Sequence, residues 1–476
     1  MICFQNKKVG VFACGVAAVA LGMTALSAMA QCNPVETAKL LAGDLTSDLS
    51  FGLSVAIEGD IAAVGTPGDD TGGEDAGAVY VFRYDGTNWN IVDKLVASDA
   101  APDDQFGTDV EIEGDIIVVG AWFDDDAGDT SGSAYVFRYD AGNDDWVQEA
   151  KLTASDATSG AWFGYRLDIS GNRVIIGAWG DGQGGPLAGA AYIYSYVAGS
   201  GLWVEEAKLT AADAALVDFM GFAVSIDGDV AAVGAVGKDS ATEFDVGAVY
   251  IFRYDGSAWQ QTAEIMPADG VGNDQFGTSV IVRGNDLFAD SFGDDAGAGT
   301  VYHYVYDSVM QQWNEVQQLV ADDRFTGDGF GWSTALDGDS LIISADTDDD
   351  AGNSSGSAYL FTYDGLQWKQ EAKLTASDAD ADDNFAYFVA LSGDRAFIGA
   401  PDNQDAGEMT GSAYVFDLNC GTECIGDLDG DNDVDQSDLG ILLSSYGNDA
   451  GGDVDGDGDT DQSDLGLLLS HYGETC

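Results

Sequence analysis

Basic residues are scarce in this chain, with 17 lysines and arginines against 83 aspartates and glutamates. The formal charge of −66 argues against binding to nucleic acid or to anionic membranes, because phosphate contacts need a lysine- and arginine-rich surface. Histidine is almost missing as well, since His303 and His471 are the only two. Two histidines disfavour zinc clusters and histidine-based catalytic triads.

Long apolar runs are confined to the N-terminus. Lys7 and Lys8 precede an apolar segment at 9–26, and an Ala-Met-Ala sequence at 28–30 offers a cleavage site. This order is typical of a secretory signal peptide, so we expect residues 1–30 to be removed and the protein to be extracellular or at the cell surface. No other stretch is long and apolar enough for a membrane span, and we expect a monomer.

Proline is rare, at 6 residues, whereas glycine is abundant, at 64, which suits many tight turns between short strands. A dipeptide of Phe-Gly type recurs at near-constant spacing: Phe51-Gly52, Phe106-Gly107, Phe163-Gly164, Met220-Gly221, Phe276-Gly277, Phe330-Gly331 and Phe385-Ala386. Each is followed by a Gly-Asp or Gly-Asn pair: Gly59-Asp60, Gly114-Asp115, Gly171-Asn172, Gly228-Asp229, Gly284-Asn285, Gly338-Asp339 and Gly393-Asp394. Glycine at these pairs supplies the positive φ that a tight hairpin needs.

Each repeat contains four short runs of β-branched and aromatic residues, which predict a four-stranded antiparallel meander. Seven meanders, each too small to bury its own face, predict an all-β, seven-bladed β-propeller over residues 31–420. The seventh repeat stops after its third strand at Phe416, and the missing fourth strand occurs at Glu36 to Leu40. We therefore expect the N-terminal strand to complete the last blade and close the ring.

Export makes disulfides plausible, and four cysteines remain after the signal segment. Four cysteines allow three pairings. Aligned on the repeats, Cys32 and Cys420 fall at neighbouring positions of the hairpin that ring closure leaves open. We predict a Cys32–Cys420 bridge, with Cys424–Cys476 as the second pair.

The Phe-Gly openings, Gly399-Ala400-Pro401 and the third strand at 411–416 resemble FG-GAP repeats, as in integrin α-chain propellers and many secreted bacterial proteins. The resemblance covers residues 36–418 and implies a β-propeller. Integrin-type blades often hold calcium in a DxDxDG loop, but bare Gly-Asp pairs stand at the corresponding turns here, so blade calcium is not implied. The acidic loops at 124–126, 294–295 and 348–350 repeat no ligand spacing, and we expect them to be solvated.

A short linker at 421–426 leads to a different segment, in which an aspartate-rich loop of twelve residues and an apolar helix occur twice. Oxygen ligands at loop positions 1, 3, 5, 7, 9 and 12 suit calcium. We expect one ion in the first loop, held by Asp427, Asp429, Asp431, Asp433, Asp435 and Asp438. We expect a second ion held by Asp453, Asp455, Asp457, Asp459, Asp461 and Asp464.

Paired calcium loops that each lead a helix resemble a dockerin domain, here at 427–476 and with α-helical secondary structure. In that family, the pair of residues before loop position 12 contacts a cohesin partner. Those residues here are Gln436 and Ser437 in the first copy and Gln462 and Ser463 in the second. The resemblance implies calcium-dependent docking to a cohesin-like protein or cell-surface component, with two symmetry-related binding modes.

The tryptophans fall into two groups. Six recur at one repeat position and are expected to pack within the fold: Trp89, Trp146, Trp203, Trp259, Trp313 and Trp368. Four do not recur in every repeat, and these are Trp122, Trp162, Trp179 and Trp332. With Tyr165, Phe222 and Tyr387, they are candidates for a surface that stacks on sugars or on a peptide.

Two functions fit these features. The first is a secreted, non-catalytic binding or adhesion protein, whose propeller binds a glycan or protein and whose tail docks through calcium. The alternative is an extracellular polysaccharide-degrading enzyme component, glycoside hydrolase-like, with its site on the propeller face. No GxSxG, phosphate-loop or HExxH motif stands out, and no off-pattern polar cluster is evident, so the sequence favours binding and indicates no catalytic residue.

Overall fold

The computed structural model describes residues 34–43, 49–404, 409–418, 426, 428, 434–447, 451–454 and 460–472. These residues form two compact units, of which the first ends at 418 and the second begins at 426. The predicted signal segment and all four cysteines of the predicted disulfides, Cys32, Cys420, Cys424 and Cys476, lie outside the described residues. No helix in the described part of the chain is long and apolar enough to cross a membrane.

The first unit consists of seven four-stranded antiparallel sheets. The strands of its first half are β1 (Val35–Leu40), β2 (Val55–Glu58), β3 (Ile61–Thr66), β4 (Ala78–Tyr84), β5 (Trp89–Leu95), β6 (Phe106–Glu113), β7 (Ile116–Ala121), β8 (Ser133–Asp140), β9 (Asp145–Leu152), β10 (Leu167–Ser170), β11 (Arg173–Ala178), β12 (Ala190–Val197) and β13 (Leu202–Leu209). Those of the second half are β14 (Met220–Asp227), β15 (Val230–Ala235), β16 (Ala248–Tyr254), β17 (Trp259–Ile265), β18 (Phe276–Arg283), β19 (Asp286–Ser291), β20 (Thr300–Asp307), β21 (Gln312–Leu319), β22 (Phe330–Asp337), β23 (Ser340–Ala345), β24 (Ser357–Tyr363), β25 (Trp368–Leu374), β26 (Val389–Ser392), β27 (Arg395–Ala400) and β28 (Ser412–Asp417).

Each sheet is one blade, and the blades are numbered 1 to 7 from β2 onward. Within a blade the strands pair in chain order, and the first strand of every blade lines a central channel. The architecture is a seven-bladed β-propeller, as the repeats predict. In blade 7 the fourth place is taken by β1, which pairs antiparallel to β28 with Leu40 opposite Ala413.

The aromatic residue of each opening dipeptide belongs to the core. Phe106 is fully buried, and its ring meets the rings of Tyr135 and Phe137 edge-on at 5.3 and 5.9 Å. Burial of such a ring contributes about 2–3 kcal/mol. The dipeptide therefore serves packing within the blade.

Glycine is needed where two blades approach each other closely. A Cβ on Gly120, in the second strand of blade 2, would collide with the carbonyl oxygen of Gly164 in blade 3. The turns between first and second strands also behave as the sequence predicts, because their seven glycines have φ between 55° and 61°. Both requirements explain why glycine recurs in step with the repeat.

A cluster of one cationic side chain with acidic or amide partners occupies the end of each blade where the second strand leaves the sheet. In blade 2 the Lys151 Nζ lies 2.8 Å from Asp99, 2.8 Å from Asp124 and 2.7 Å from Asp126. The Tyr135 hydroxyl donates to Asp124 at 2.8 Å. Because Asp124 is buried, the expectation of a fully solvated acidic loop is wrong at this residue.

Every other blade repeats this cluster with one basic side chain. The basic residues, in order from blade 1, are Lys94, Lys151, Lys208, Lys238, Arg324, Lys373 and Lys39. Blade 4 exchanges the charges, since Lys238 stands on the loop and Glu264 takes the usual strand position opposite Tyr250. In blade 5 the strand position holds Gln318, and Arg324 approaches from the next connection instead.

The second unit contains two helices, α2 (Gln436–Ser445) and α3 (Gln462–His471), which are numbered after α1 (Asp294–Gly297), a single turn in blade 5. Val434, Leu442 and Leu468 form its buried core. Both helices begin with the same capping box, made by Asp435 with Asp438 and by Asp461 with Asp464. The two copies thus share local geometry as well as sequence.

Replacement of Lys151 by methionine tests the ammonium cluster. The side chain of Asp124 is only 3% exposed, so Lys151→Met leaves a buried carboxylate without its cation. We expect the free energy of unfolding in guanidinium to fall by about 2–4 kcal/mol. Lys369→Met, whose side chain is 45% exposed beside its single carboxylate partner Asp364, is the control and should cost less than about 1 kcal/mol. Equal losses in the two variants would contradict a special role for the cluster.

Candidate functional site

Four repeat positions surround one mouth of the central channel. They are the residue before each opening dipeptide, the pair of residues after it, and the residue that follows the second strand. Many of these positions hold small or polar side chains, but ten of them, spread over six blades, hold aromatic rings. The rings are Trp122, Trp162, Tyr165, Trp179, Phe219, Phe222, Phe292, Trp332, Tyr387 and Phe388.

The first aromatic cluster spans blades 2 to 4. It contains Trp122, Phe123, Trp162, Tyr165, Trp179, Phe219 and Phe222, all of them half-buried. Trp162 and Trp179 have ring centres 4.1 Å apart, and Trp122 lies 5.1 Å from Tyr165. Tyr165 in turn lies 5.3 Å from Phe222, so the rings form one continuous surface. The structure therefore brings together three of the four candidate tryptophans.

The second aromatic cluster contains the fourth candidate, Trp332, together with Phe292, Tyr387 and Phe388. Trp332 lies 5.3 Å from Phe292 and 5.6 Å from Tyr387, and all four rings are half-buried. Phe292 and Phe388 were not among the sequence candidates, nor were Phe123 and Phe219. Phe219, Phe292 and Phe388 occupy the same repeat positions as the candidates, so an alignment of those positions would have found them.

Arg166 connects the two clusters. Its guanidinium lies over the Tyr165 ring at 4.6 Å and over the Phe388 ring, in blade 7, at 4.4 Å. Both Arg166 and Phe388 line the channel. The mouth of the channel is thus an aromatic surface with a cation at its centre.

Two rings of the first cluster occupy a backbone position that disfavours them. Trp162 and Phe219 have φ of 53° and 55°, the left-handed region that glycine and asparagine adopt most easily. The same position has positive φ in all seven repeats, where Ser50, Gln105, Gln275, Gly329 and Asn384 stand. A bulky residue in this conformation costs roughly 1–3 kcal/mol, so the backbone does not explain the choice of an aromatic ring.

Several polar atoms within or beside these clusters have no hydrogen-bond partner in the described part of the chain. They are Trp179 Nε1, Trp332 Nε1 and Asp346 Oδ1, all of them buried. Trp122 Nε1 differs, because it donates to Gln105 Oε1 at 2.8 Å. Each such unpaired buried donor or acceptor lowers stability, because it has lost its hydrogen bonds to water without gaining a partner.

Asp346 stands in blade 6 at the repeat position that Trp122 and Trp179 hold in blades 2 and 3. It is only 5% exposed, and burial raises the pKa of its carboxyl to about 7. Burial is the main reason why the pKa of Tyr387 is raised to about 12. Smaller electrostatic contributions come from Tyr165, Arg166, Asp346 and Asp402. The second cluster therefore contains a carboxyl group that changes its charge near neutral pH.

The channel below the mouth has a volume of about 220 Å³. Asp109, Glu111 and Asp168 line it on blades 2 and 3, and Arg283 lines it on blade 5. Burial raises the pKa of Asp109 to about 6, and burial together with Asp168 and Asp109 raises the pKa of Glu111 well above its usual range. Serine and threonine residues line the channel on the blades that face these acids, so its lining is mainly polar.

One group of carboxylates outside the channel has the spacing of a metal site. Asp323, Asp348 and Asp350 place oxygens within 4.8 Å of one another. The ammonium of Lys373 lies 2.7, 3.0 and 2.6 Å from these three residues. A lysine therefore occupies the position that a cation would take in this loop.

The C-terminal segment at 427–476, here called the tail, contains the remaining candidate residues. Asp427, Asp429, Asp431, Asp433, Asp455, Asp457 and Asp459 lie outside the described residues. Asp438 and Asp464 are fully buried, and each accepts backbone N–H groups from the start and the later part of its loop. Gln436, Ser437, Gln462 and Ser463 are exposed on the first turns of α2 and α3. The loop ends are thus held together, and the predicted docking pairs face solvent.

The seven sheets surround a channel whose mouth carries aromatic side chains, and together they form a β-propeller built from sequence repeats. A family model described as "FG-GAP repeat" matches the chain at residues 34–82, 89–137, 146–194, 203–252, 259–306, 313–361 and 368–416. The chain therefore belongs to the FG-GAP repeat family. The second match runs from Trp89 in β5 to Phe137 in β8, so the sequence repeat is offset from the blade by one strand.

No curated protein sequence matches the chain. A crystal structure of a protein from Lactobacillus plantarum is similar to it at 15% identity, over 71% of this chain and 88% of that chain, with a TM-score of 0.47. Similarity at this level carries no functional assignment.

Asp346→Asn tests the buried carboxyl at the mouth. The carboxyl ionises near 3.8 when unfolded and near 7 when folded, so its favourable contribution exists at low pH and is lost as pH rises through 7. The stability of Asp346→Asn relative to wild type should therefore rise between pH 4 and 7 by up to about 1.4 kcal/mol per pH unit. Urea unfolding at several pH values measures this difference. Asp349→Asn, on the exposed part of the same loop, should show no such trend; a flat difference for Asp346→Asn would contradict the assignment.

Proposed function

We propose that the protein is a secreted, non-catalytic binding protein whose propeller binds a glycan at the aromatic channel mouth. The first aromatic cluster is the observation that carries this proposal. Its rings are half-buried and continuous, and two of them stand where the backbone favours glycine or asparagine. Such rings offer flat apolar faces to sugar rings.

Trp162→Gly removes one ring of the proposed surface without a backbone penalty, because glycine adopts φ of 53° freely. We expect affinity for the glycan identified by an array screen to fall about tenfold, which corresponds to about 1.4 kcal/mol for one stacked ring. Phe244→Ala is the matched control, since Phe244 is 75% exposed and lies outside both clusters. Unchanged binding by Trp162→Gly in calorimetry would refute the aromatic surface as the binding site.

One observation favours the alternative, a polysaccharide-degrading enzyme. Asp346 has a pKa of about 7 because it is buried, and a general acid needs a proton near neutral pH. Glycoside cleavage also requires a second carboxylate placed across the scissile bond. Release of reducing sugars by the protein, and its loss in Asp346→Asn, would favour this function over binding alone.

We propose that the tail is a dockerin-type module that binds two calcium ions and a cohesin-like partner. Identical capping boxes, buried carboxylates at Asp438 and Asp464, and duplicated loop spacing support two equivalent calcium loops. Each helix also exposes a leucine and a following tyrosine, Leu443 with Tyr446 and Leu469 with Tyr472, beyond its Gln-Ser pair. This duplicated surface supports two symmetry-related docking modes.

Calorimetric titration of the full chain with calcium tests the tail. We expect two ions in the wild type and one ion in Asp464→Asn, because that carboxyl is a ligand of the second loop only. Ser463→Ala serves as the control and should retain two ions, since its exposed hydroxyl is assigned to docking. No calcium-binding heat, or two ions in both variants, would refute the proposed loops.

We also infer that β1 closes the propeller ring. Its antiparallel pairing with β28 supports this role, as does the Lys39 ammonium, which lies 2.7 Å from Asp378. Glu36 adds a second connection by accepting from the Ser377 backbone N–H at 2.8 Å. The Cys32–Cys420 bridge, secretion and a monomeric state remain predictions from the sequence.

A further inference from the structure

Arg166 is one of three arginines, with Arg253 and Arg283, for which the described residues offer no ion pair, and of the three it alone lies at the aromatic channel mouth. Its guanidinium makes one hydrogen bond, from Nη1 to the backbone oxygen of Tyr165 at 3.3 Å. A guanidinium has five N–H donors, so most of its donors have no acceptor among the described residues. Asp109 is close enough to interact electrostatically with Arg166, but no carboxylate oxygen of the described chain lies within 4.0 Å of the guanidinium.

The position of Arg166 in the channel mouth also indicates a role in ligand binding. The guanidinium lies between the Tyr165 and Phe388 rings at the mouth of the channel, with the first aromatic cluster on one side and the second on the other. The other blades have Ser54, Asp109, Ala223, Ser279, Ser333 and Phe388 at this repeat position. Arginine is therefore not required by the scaffold, and it stands where a ligand on either aromatic cluster would pass.

We propose that Arg166 selects acidic glycans by binding a uronic-acid carboxylate at the channel mouth while the neighbouring sugar rings stack on the aromatic clusters. The inference rests on the proposed glycan-binding function. A planar guanidinium held by stacking presents its N–H groups as a fork that matches a carboxylate. The net charge of −66 attracts no anion from a distance, so selectivity for an acidic ligand must come from a local contact of this kind.

Two trisaccharides that differ only in the acid group test the inference. We expect the full-length protein to bind tri-galacturonate about ten- to a hundredfold more tightly than tri-galactose in calorimetry at physiological salt. Arg166→Gln should reduce this ratio to about one, because it weakens the binding of tri-galacturonate far more than that of tri-galactose. Arg166→Lys keeps the charge but loses the fork, and it should retain only part of the ratio. Arg83→Gln, at an exposed pair between blades, is the control.

The possible outcomes separate this inference from the proposed function. Equal binding of the two trisaccharides, or a ratio that Arg166→Gln leaves unchanged, overturns the role of Arg166 but leaves glycan binding intact. A parallel loss of both affinities in Arg166→Gln shows a structural role and overturns the inference as well. Absence of binding to either trisaccharide overturns the proposed function together with the role of Arg166. Tight, Arg166-dependent binding of hexaglutamate instead would show a peptide ligand and overturn the acidic glycan.

Discussion

The propeller depends on one cation in each blade. The chain has 17 basic residues, of which Lys7 and Lys8 lie in the predicted signal segment, and seven of the remaining 15 stand among buried or half-buried carboxylates where the second strand ends. Lys151 contacts Asp99 from the preceding connection as well as Asp124 and Asp126 from its own blade. Lys208 and Lys373 also join a preceding connection to their own blade, and all seven cations offset the local repulsion that a charge of −66 creates. Lys373, which fills a site of metal-like spacing, illustrates the same principle.

The fold was largely predictable because the repeats and turns are local in sequence. Positive φ at Gly59 and its six equivalents follows directly from the two-residue hairpins. The cation clusters were not predictable, although the lysine itself recurs visibly in the repeats. Its partners Asp99 and Asp124 come from different connections, and only the folded blade brings them to Lys151. For this reason the sequence predicts a solvated loop at 124–126, whereas Asp124 is buried.

The site was predictable in part. Trp122, Trp162 and Trp179 break the repeat, and the structure places them in one cluster. Trp332 breaks it too, but belongs to a second cluster. Arg166 and Phe388 are far apart in sequence and meet only across the channel, so no local pattern could pair them. The proposed calcium loops differ from this pair, because the spacing of their ligands is a local property that the sequence alone reveals.

Under the proposed function, scaffold and recognition are separate: recurring residues build the blades, and the aromatic residues that depart from the repeat gather at one channel mouth. A crystal structure with tri-galacturonate bound tests this separation most directly. The account predicts sugar rings over Trp162, Trp179 and Tyr165, with a carboxylate within hydrogen-bond distance of Arg166. A ligand at the opposite end of the channel, beside the Gly-Asp turns, or on the outer strands of the blades would contradict it.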